Sequence, residues 1–149
     1  MTDLFMYAQV MGLCGLAVSL AVFQMNKRRQ MLRLGVIAAL LYTVQFAMLG
    51  AYTAAVMNCI GALRTFVFMN VRPRAANCWI LGVFMVVAIV ATMMTWHGVA
   101  SMLALVASMC GGIASWQRHP STIRRYTLSA SLLWLVHNIL TGAMVGVVL

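Results

Sequence analysis

Acidic residues are almost absent from this sequence, because Asp3 is the only Asp or Glu among its 149 residues. This excludes catalysis by paired carboxylates, triads supported by an Asp, and carboxylate cages for Mg²⁺ or Ca²⁺. Only 7% of the residues are charged while 64% are hydrophobic, and a soluble domain of this size needs far more charge to coat its surface. The composition therefore indicates a single integral membrane domain over residues 1–149, and we expect no enzymatic activity.

Metal-binding patterns are also missing. The soft side chains of Met and Cys could suit copper(I), but the four cysteines are scattered over separate apolar runs and form no Cys-x-x-Cys. Methionine in an apolar span is normally a packing residue. We expect neither a metal site nor a cofactor.

Six apolar runs are long enough to cross a bilayer, which takes ~17–25 mostly apolar residues. Short breaks separate the runs, and both prolines, Pro73 and Pro120, fall in breaks. The predicted spans are residues 7–25, 31–49, 52–69, 77–94, 99–116 and 125–141. Since residues 142–149 are too few to cross, we expect an all-α polytopic protein with six full spans and a short C-terminal stub.

Positive charge follows the connections between the spans. The net charge is +9, and Arg64 is the only Lys or Arg well inside a span. The others flank the first, third and fifth connections: Lys27, Arg28, Arg29, Arg33, Arg72, Arg74, Arg118, Arg124 and Arg125. The positive-inside rule makes that side cytoplasmic and leaves the N-terminus periplasmic. Because topology accounts for the basic charge, we expect no nucleic-acid partner.

An internal repeat with a period of roughly 92 residues relates the first two spans to the last two. The aligned pairs include Tyr42 with Trp134, Gln45 with His137, and Gly50-Ala51 with Gly142-Ala143. The fourth span has no counterpart, and an odd linker helix gives both units the same orientation. We therefore expect parallel three-helix repeats: repeat one at residues 7–69, a linker helix at 77–94, and an incomplete repeat two at 99–149.

Three stretches resemble the bacterial inner membrane protein family called YgjV: residues 45–50 (QFAMLG), 58–64 (NCIGALR) and 134–142 (WLVHNILTG). This family is often grouped with the SWEET sugar transporters and PnuC vitamin transporters, which share a three-plus-one-plus-three helix plan. The resemblance implies a location in the bacterial inner membrane and facilitated movement of small solutes through a pocket between the repeats. By similarity to the SWEET proteins, Tyr42, Trp134 and Asn58 line that pocket.

Polar and aromatic side chains recur on common helix faces. Tyr42 and Gln45 are three residues apart, as are Trp134 and His137, so each pair shares a face. The candidate substrate-binding set is Tyr42, Gln45, Asn58, Trp134, His137 and Asn138. The alternative is that Gln45 and His137 join helices by hydrogen bonds, which contribute only ~0.6–2 kcal/mol. A proton relay through His137 is a weaker third interpretation.

Arg64 lies four to six residues from the predicted cytoplasmic end of its span, within reach of the interface. Snorkelling or a structural contact is the favoured interpretation, ahead of solute binding. With no carboxylate at hand in the chain, the guanidinium must contact backbone carbonyls, water, lipid phosphate or an anionic solute.

Two functions remain open at this stage. The first is a small-solute facilitator working by alternating access, with an unknown substrate. The second is a non-transporting scaffold or accessory subunit of another membrane protein. The expected partners are the lipid bilayer, an unknown small solute, and either a second copy of the chain or a partner membrane subunit.

Overall fold

A computed structural model describes residues 2–141, with side chains described from Leu4 onward. Within these residues the chain forms six α-helices and one 3₁₀ turn, and no strand. The helices are α1 (Thr2–Gln24), α2 (Arg28–Met48), α3 (Tyr52–Asn70), α4 (Cys78–Met94), α5 (Val99–Trp116) and α6 (Pro120–Thr141), and the 3₁₀ turn is Ala75–Asn77. The predicted stub at residues 142–149 lies outside the described residues.

Among the described residues, five helical segments are long and apolar enough to cross a membrane: Leu4–Gln24, Arg28–Met48, Tyr52–Asn70, Ala75–Met94 and Val99–Trp116. These agree with the first five predicted spans. The segment α6 is not among them, since its first turns are polar and carry Arg124 and Arg125. Membrane crossing by α6 therefore stays a prediction.

The bundle encloses polar side chains among its buried apolar ones and exposes many large apolar side chains on its outside, unlike a soluble protein. Its buried polar side chains are Gln45, Thr53, Arg64, Thr65, Thr92, Ser101, Ser108, His137 and Asn138. Large apolar side chains such as Leu13, Val86 and Leu132 are exposed instead. Hydrocarbon cannot hydrogen-bond to polar groups, so this distribution is the one that lipid selects.

Helices adjacent in sequence pack side by side, α1 on α2, α2 on α3 and α5 on α6. The two groups meet where α3 packs against α5. The helix α4 contacts α3 and α5 from the outside and buries only Ala88 and Thr92. The core is thus built by α1–α3 on one side and α5–α6 on the other.

A glycine-dependent turn joins α2 to α3. Gly50 has φ +73°, a conformation that favours glycine. The Ala51 N–H donates to the Phe46 carbonyl at 2.9 Å and the Gly50 N–H to the Ala47 carbonyl at 3.2 Å. These two bonds form a Schellman motif, which ends α2 and lets α3 begin after a very short connection.

Candidate functional site

A cavity of about 240 Å³ lies at the centre of the bundle. Its wall comes from α1, α2, α3, α5 and α6, while α4 contributes no lining residue. The polar residues that line it are Ser19, Asn58, Arg64, Thr65, Ser108, Ser115, Thr127, Ser131 and Asn138. Apolar and aromatic side chains make up the rest of the wall. Such a mixture of apolar surface and a few polar groups is typical of a small-molecule site.

Five of the predicted residues meet at this cavity: Tyr42, Asn58, Arg64, Trp134 and Asn138. Asn58 is half-buried, and its Nδ2 donates to the Ala54 carbonyl at 2.9 Å. Asn138 is buried, and its Oδ1 accepts no hydrogen bond from the described residues. The convergence follows from helix periodicity, because each of these side chains lies on the inward face of its helix.

Gln45 and His137 are buried in the same bundle but do not line the cavity. His137 donates from Nδ1 to the Ala100 carbonyl at 3.0 Å, which ties α6 to the start of α5. Gln45 packs against Gly12, where an added Cβ would lie 2.3 Å from Gln45 Nε2. Both residues therefore occupy helix contacts beside the cavity wall.

An aromatic layer bounds the cavity at the end away from the basic connections. Phe46 stacks on Trp134 with ring centroids 5.9 Å apart, and Tyr42 lies 6.4 Å from Phe46. The His137 ring closes the layer from behind, edge-on to Trp134 at 5.2 Å. Tyr42 and Phe46 come from α2 and Trp134 from α6, so the layer spans both groups of helices.

An apolar cluster bounds the cavity at the other end. Val22, Met31 and Ile123 are buried against one another, and all three line the cavity. They lie at the end of α1, the start of α2 and the start of α6, which is the basic end of the bundle. This cluster again joins the first group of helices to the second.

Two arginines form hydrogen bonds between helix ends at the basic end, beyond that cluster. Arg28 donates to three carbonyls at the ends of α3 and α5: Phe68 at 2.9 Å, Ser115 at 3.1 Å and Gln117 at 2.8 Å. Arg124 of α6 donates to the Met25 carbonyl at 2.8 Å, just beyond the end of α1. Helix C-termini leave carbonyls without intrahelical partners and attract positive charge, so these contacts are favourable on both counts.

Arg64 is the one charged residue of the cavity wall and is only 4% exposed. Its Nη1 donates to the Ser108 carbonyl of α5 at 2.8 Å. The side chain thus turns inward toward α5 and does not snorkel along α3 to the interface. Gly112 leaves room for the guanidinium, since an added Cβ there would lie 2.9 Å from Nη1.

The α5 residues that contact Arg64 were not predicted from the sequence. Ser108, Gly111 and Gly112 are contributed by α5, and Ser115 continues the same face one turn further on. Their spacing of three and four residues marks one polar, small-residue face of a helix, which was the available signal. The sequence does not say which helix stands opposite that face.

Donors to a metal ion are not assembled in the described part of the chain, where no group of three His, Cys, Asp or Glu side chains lies together. All four cysteines are free. What the cavity does offer is hydroxyl, amide, guanidinium and aromatic surface. These groups can bind and orient a small molecule.

The sequence matches the family Imp-YgjV, described as a bacterial inner membrane protein, over residues 6–149. Comparison with curated proteins gives no match, and comparison with solved structures gives none either. The match covers nearly the whole chain and agrees with the large apolar side chains exposed on the outside of the bundle.

Proposed function

Because the chain belongs to the Imp-YgjV family of bacterial inner membrane proteins, we propose that it is a small-solute transporter of the facilitator type. The observation that carries this proposal is the central cavity, whose mostly apolar wall holds several polar residues and which lies between the aromatic layer and the apolar cluster. A protein that only joins other subunits has no need of such a cavity, because polar groups facing an unfilled interior are costly.

Alternating access gives each end of the cavity a role. The aromatic layer and the apolar cluster both contain side chains from α1–α3 and from α6. Rocking one group of helices against the other would separate one layer while the other stays closed. The Arg28 and Arg124 contacts also cross between the two groups, and in this proposal they keep the two groups together at the basic end.

The proposal keeps the parallel-repeat plan with repeat one at residues 7–69, a linker helix at 77–94 and an incomplete repeat two at 99–149. The outside position of α4, with only two buried residues, supports its role as a linker. The SWEET-like relationship remains part of this proposal. No cofactor and no enzymatic step enter it.

Orientation in the membrane is a testable part of the proposal. In a variant with the four natural cysteines replaced by Ala, we expect a cysteine at the exposed Trp96 to react with a membrane-impermeant maleimide in intact cells. A cysteine at the exposed Arg29 should react only after the inner membrane is permeabilised, because Lys and Arg mark the cytoplasmic side. Labelling of the Arg29 position alone in intact cells would show that the topology is the opposite of the one proposed.

Transport itself is tested by swelling of proteoliposomes. Vesicles containing the purified full-length protein are mixed with iso-osmotic solutions of small sugars, polyols, amino acids, or potassium salts of organic anions with valinomycin present. Faster swelling than protein-free vesicles is expected for at least one of these solutes. Swelling equal to that of empty vesicles for every solute would favour the scaffold interpretation.

A further inference from the structure

We infer that the solute held by this cavity is a small organic anion whose carboxylate or phosphate group binds Arg64; the inference rests on the transport function proposed above. Arg64 is the only charged side chain on the cavity wall and is nearly fully buried. Ionisable side chains at such depth in a membrane protein are rare and commonly mark a solute pathway.

Arg64 has no acidic side chain beside it in the described part of the chain. Asp3 is the only Asp or Glu of the sequence, and it lies in the first turn of α1, at the end of the bundle away from the basic connections. Arg64 lies six residues before the end of α3, roughly 9 Å along the helix axis from that basic end. Burying an uncompensated cation costs several kcal/mol, so an anion from outside the chain would be strongly attracted.

The hydrogen bonds of Arg64 leave Nη2 available. Nη1 is held by the Ser108 carbonyl at 2.8 Å, with Ser108 Oγ at 3.4 Å. Nε is enclosed and has no hydrogen-bond partner among the described residues. A guanidinium can donate to a carboxylate or phosphate, so with Nη1 anchored and Nε enclosed, Nη2 is the donor left for an oxyanion.

Two glycines, Gly61 and Gly111, lie beside Nη2 and place no side chain next to it. A Cβ added at Gly61 would lie 3.7 Å from Nη2, and one at Gly111 would lie 3.5 Å from it. Thr65, Ser115 and Asn58 are further polar residues of the cavity wall on α3 and α5. The head of a solute can thus meet a cation and neutral hydrogen-bonding groups without meeting a competing negative charge.

The remainder of the cavity limits the body of the solute. The cavity of about 240 Å³ is smaller than the roughly 300–1,000 Å³ of drug-sized sites. Tyr42, Phe46 and Trp134 offer aromatic surface at one end, and Val22 and Met31 offer aliphatic surface at the other. A compact molecule with one oxyanion and an apolar body fits this wall.

Binding is measured on the full-length protein in a maltoside detergent, which carries no phosphate. Benzoate, acetate and inorganic phosphate serve as anionic probes and benzamide as the uncharged counterpart of benzoate, with tryptophan fluorescence as the readout because Trp134 lines the cavity. We expect at least one anion to bind, benzamide not to bind, and Arg64→Gln to weaken anion binding by about 30-fold or more. Arg33→Gln removes the same charge at an exposed position and should leave binding unchanged.

Arg64→Lys provides a second variant that keeps the buried charge, and its binding should fall between that of the wild type and that of Arg64→Gln. No Arg64-dependent binding of any anion, with swelling by neutral solutes, would overturn the inference and leave the transport function standing. Arg64-dependent binding without swelling for any solute would keep the anion site and remove the transport function. Tighter binding of dihexanoyl-phosphatidylglycerol, in competition with benzoate, would assign the site to a lipid headgroup and overturn the small-solute assignment.

Discussion

Proteoliposomes containing the Ala39→Trp variant are expected to swell no faster than empty vesicles, even with the solute that the wild-type protein conducts best. Ala39 lies on α2 and its side chain lines the central cavity. An indole at this position projects into the space between the helices, which holds only about 240 Å³. The solute would then have no room, whatever its charge, so this variant tests the route itself and is independent of Arg64.

The matched control is Val90→Trp, which introduces the same side chain on α4. Val90 is exposed, and α4 contributes nothing to the cavity wall, so we expect swelling at the wild-type rate. Both proteins should elute from gel filtration as the wild type does, which shows that folding survives the added volume. Equal swelling of the Ala39→Trp and wild-type vesicles would mean that the solute does not pass through this cavity.

The helices were predictable from the sequence because a helix that crosses the bilayer needs a run of apolar residues of a characteristic length. The ends of the runs and the ends of the helices differ where helices extend into polar sequence. The segment α1 begins at Thr2 where the prediction began at residue 7, and α6 begins at Pro120 where it began at residue 125. Proline is favourable in the first turn of a helix, so α6 includes a polar, basic turn that a search for apolar residues omits.

The cavity face was predictable only in part. Tyr42 and Gln45 share a face of α2, yet Tyr42 lines the cavity while Gln45 packs against Gly12 of α1. Trp134 and His137 of α6 divide in the same way. Helical spacing shows which side chains share a face, whereas the part of that face that meets a cavity or another helix depends on how the helices pack.

The environment of Arg64 was also not predictable from the sequence alone. Its distance from the helix end permits snorkelling, and the sequence favours snorkelling or a structural contact without choosing between them. The choice between interface and interior depends on the opposing helix, which presents Ser108 and Gly112 at the matching depth. That pairing of α3 with α5 is long-range, and no local pattern encodes it.

The Arg28→Ala variant is expected to open the basic end of the cavity. The Arg28 side chain makes three hydrogen bonds to carbonyls at the ends of α3 and α5. Hydrogen bonds to charged groups contribute roughly 1.5–3 kcal/mol each, and a loss of ~1.4 kcal/mol changes an equilibrium tenfold. If closure depends on these bonds, the open population should rise by about tenfold or more, and protein stability should fall as well.

A cysteine at Ser115, in a protein without its four natural cysteines, reports this opening. Ser115 lines the cavity, and Arg28 contacts only its backbone carbonyl, so the Ser→Cys change leaves that bond in place. The maleimide labelling rate at this position should increase about tenfold in Arg28→Ala and stay unchanged in Arg29→Ala, which alters an exposed neighbour. Arg28→Lys should label at an intermediate rate, because an ammonium keeps the charge but lacks the fork that reaches three carbonyls. A lower unfolding temperature with no change in labelling would restrict Arg28 to stabilising the helix ends, and the basic end would then need another gate.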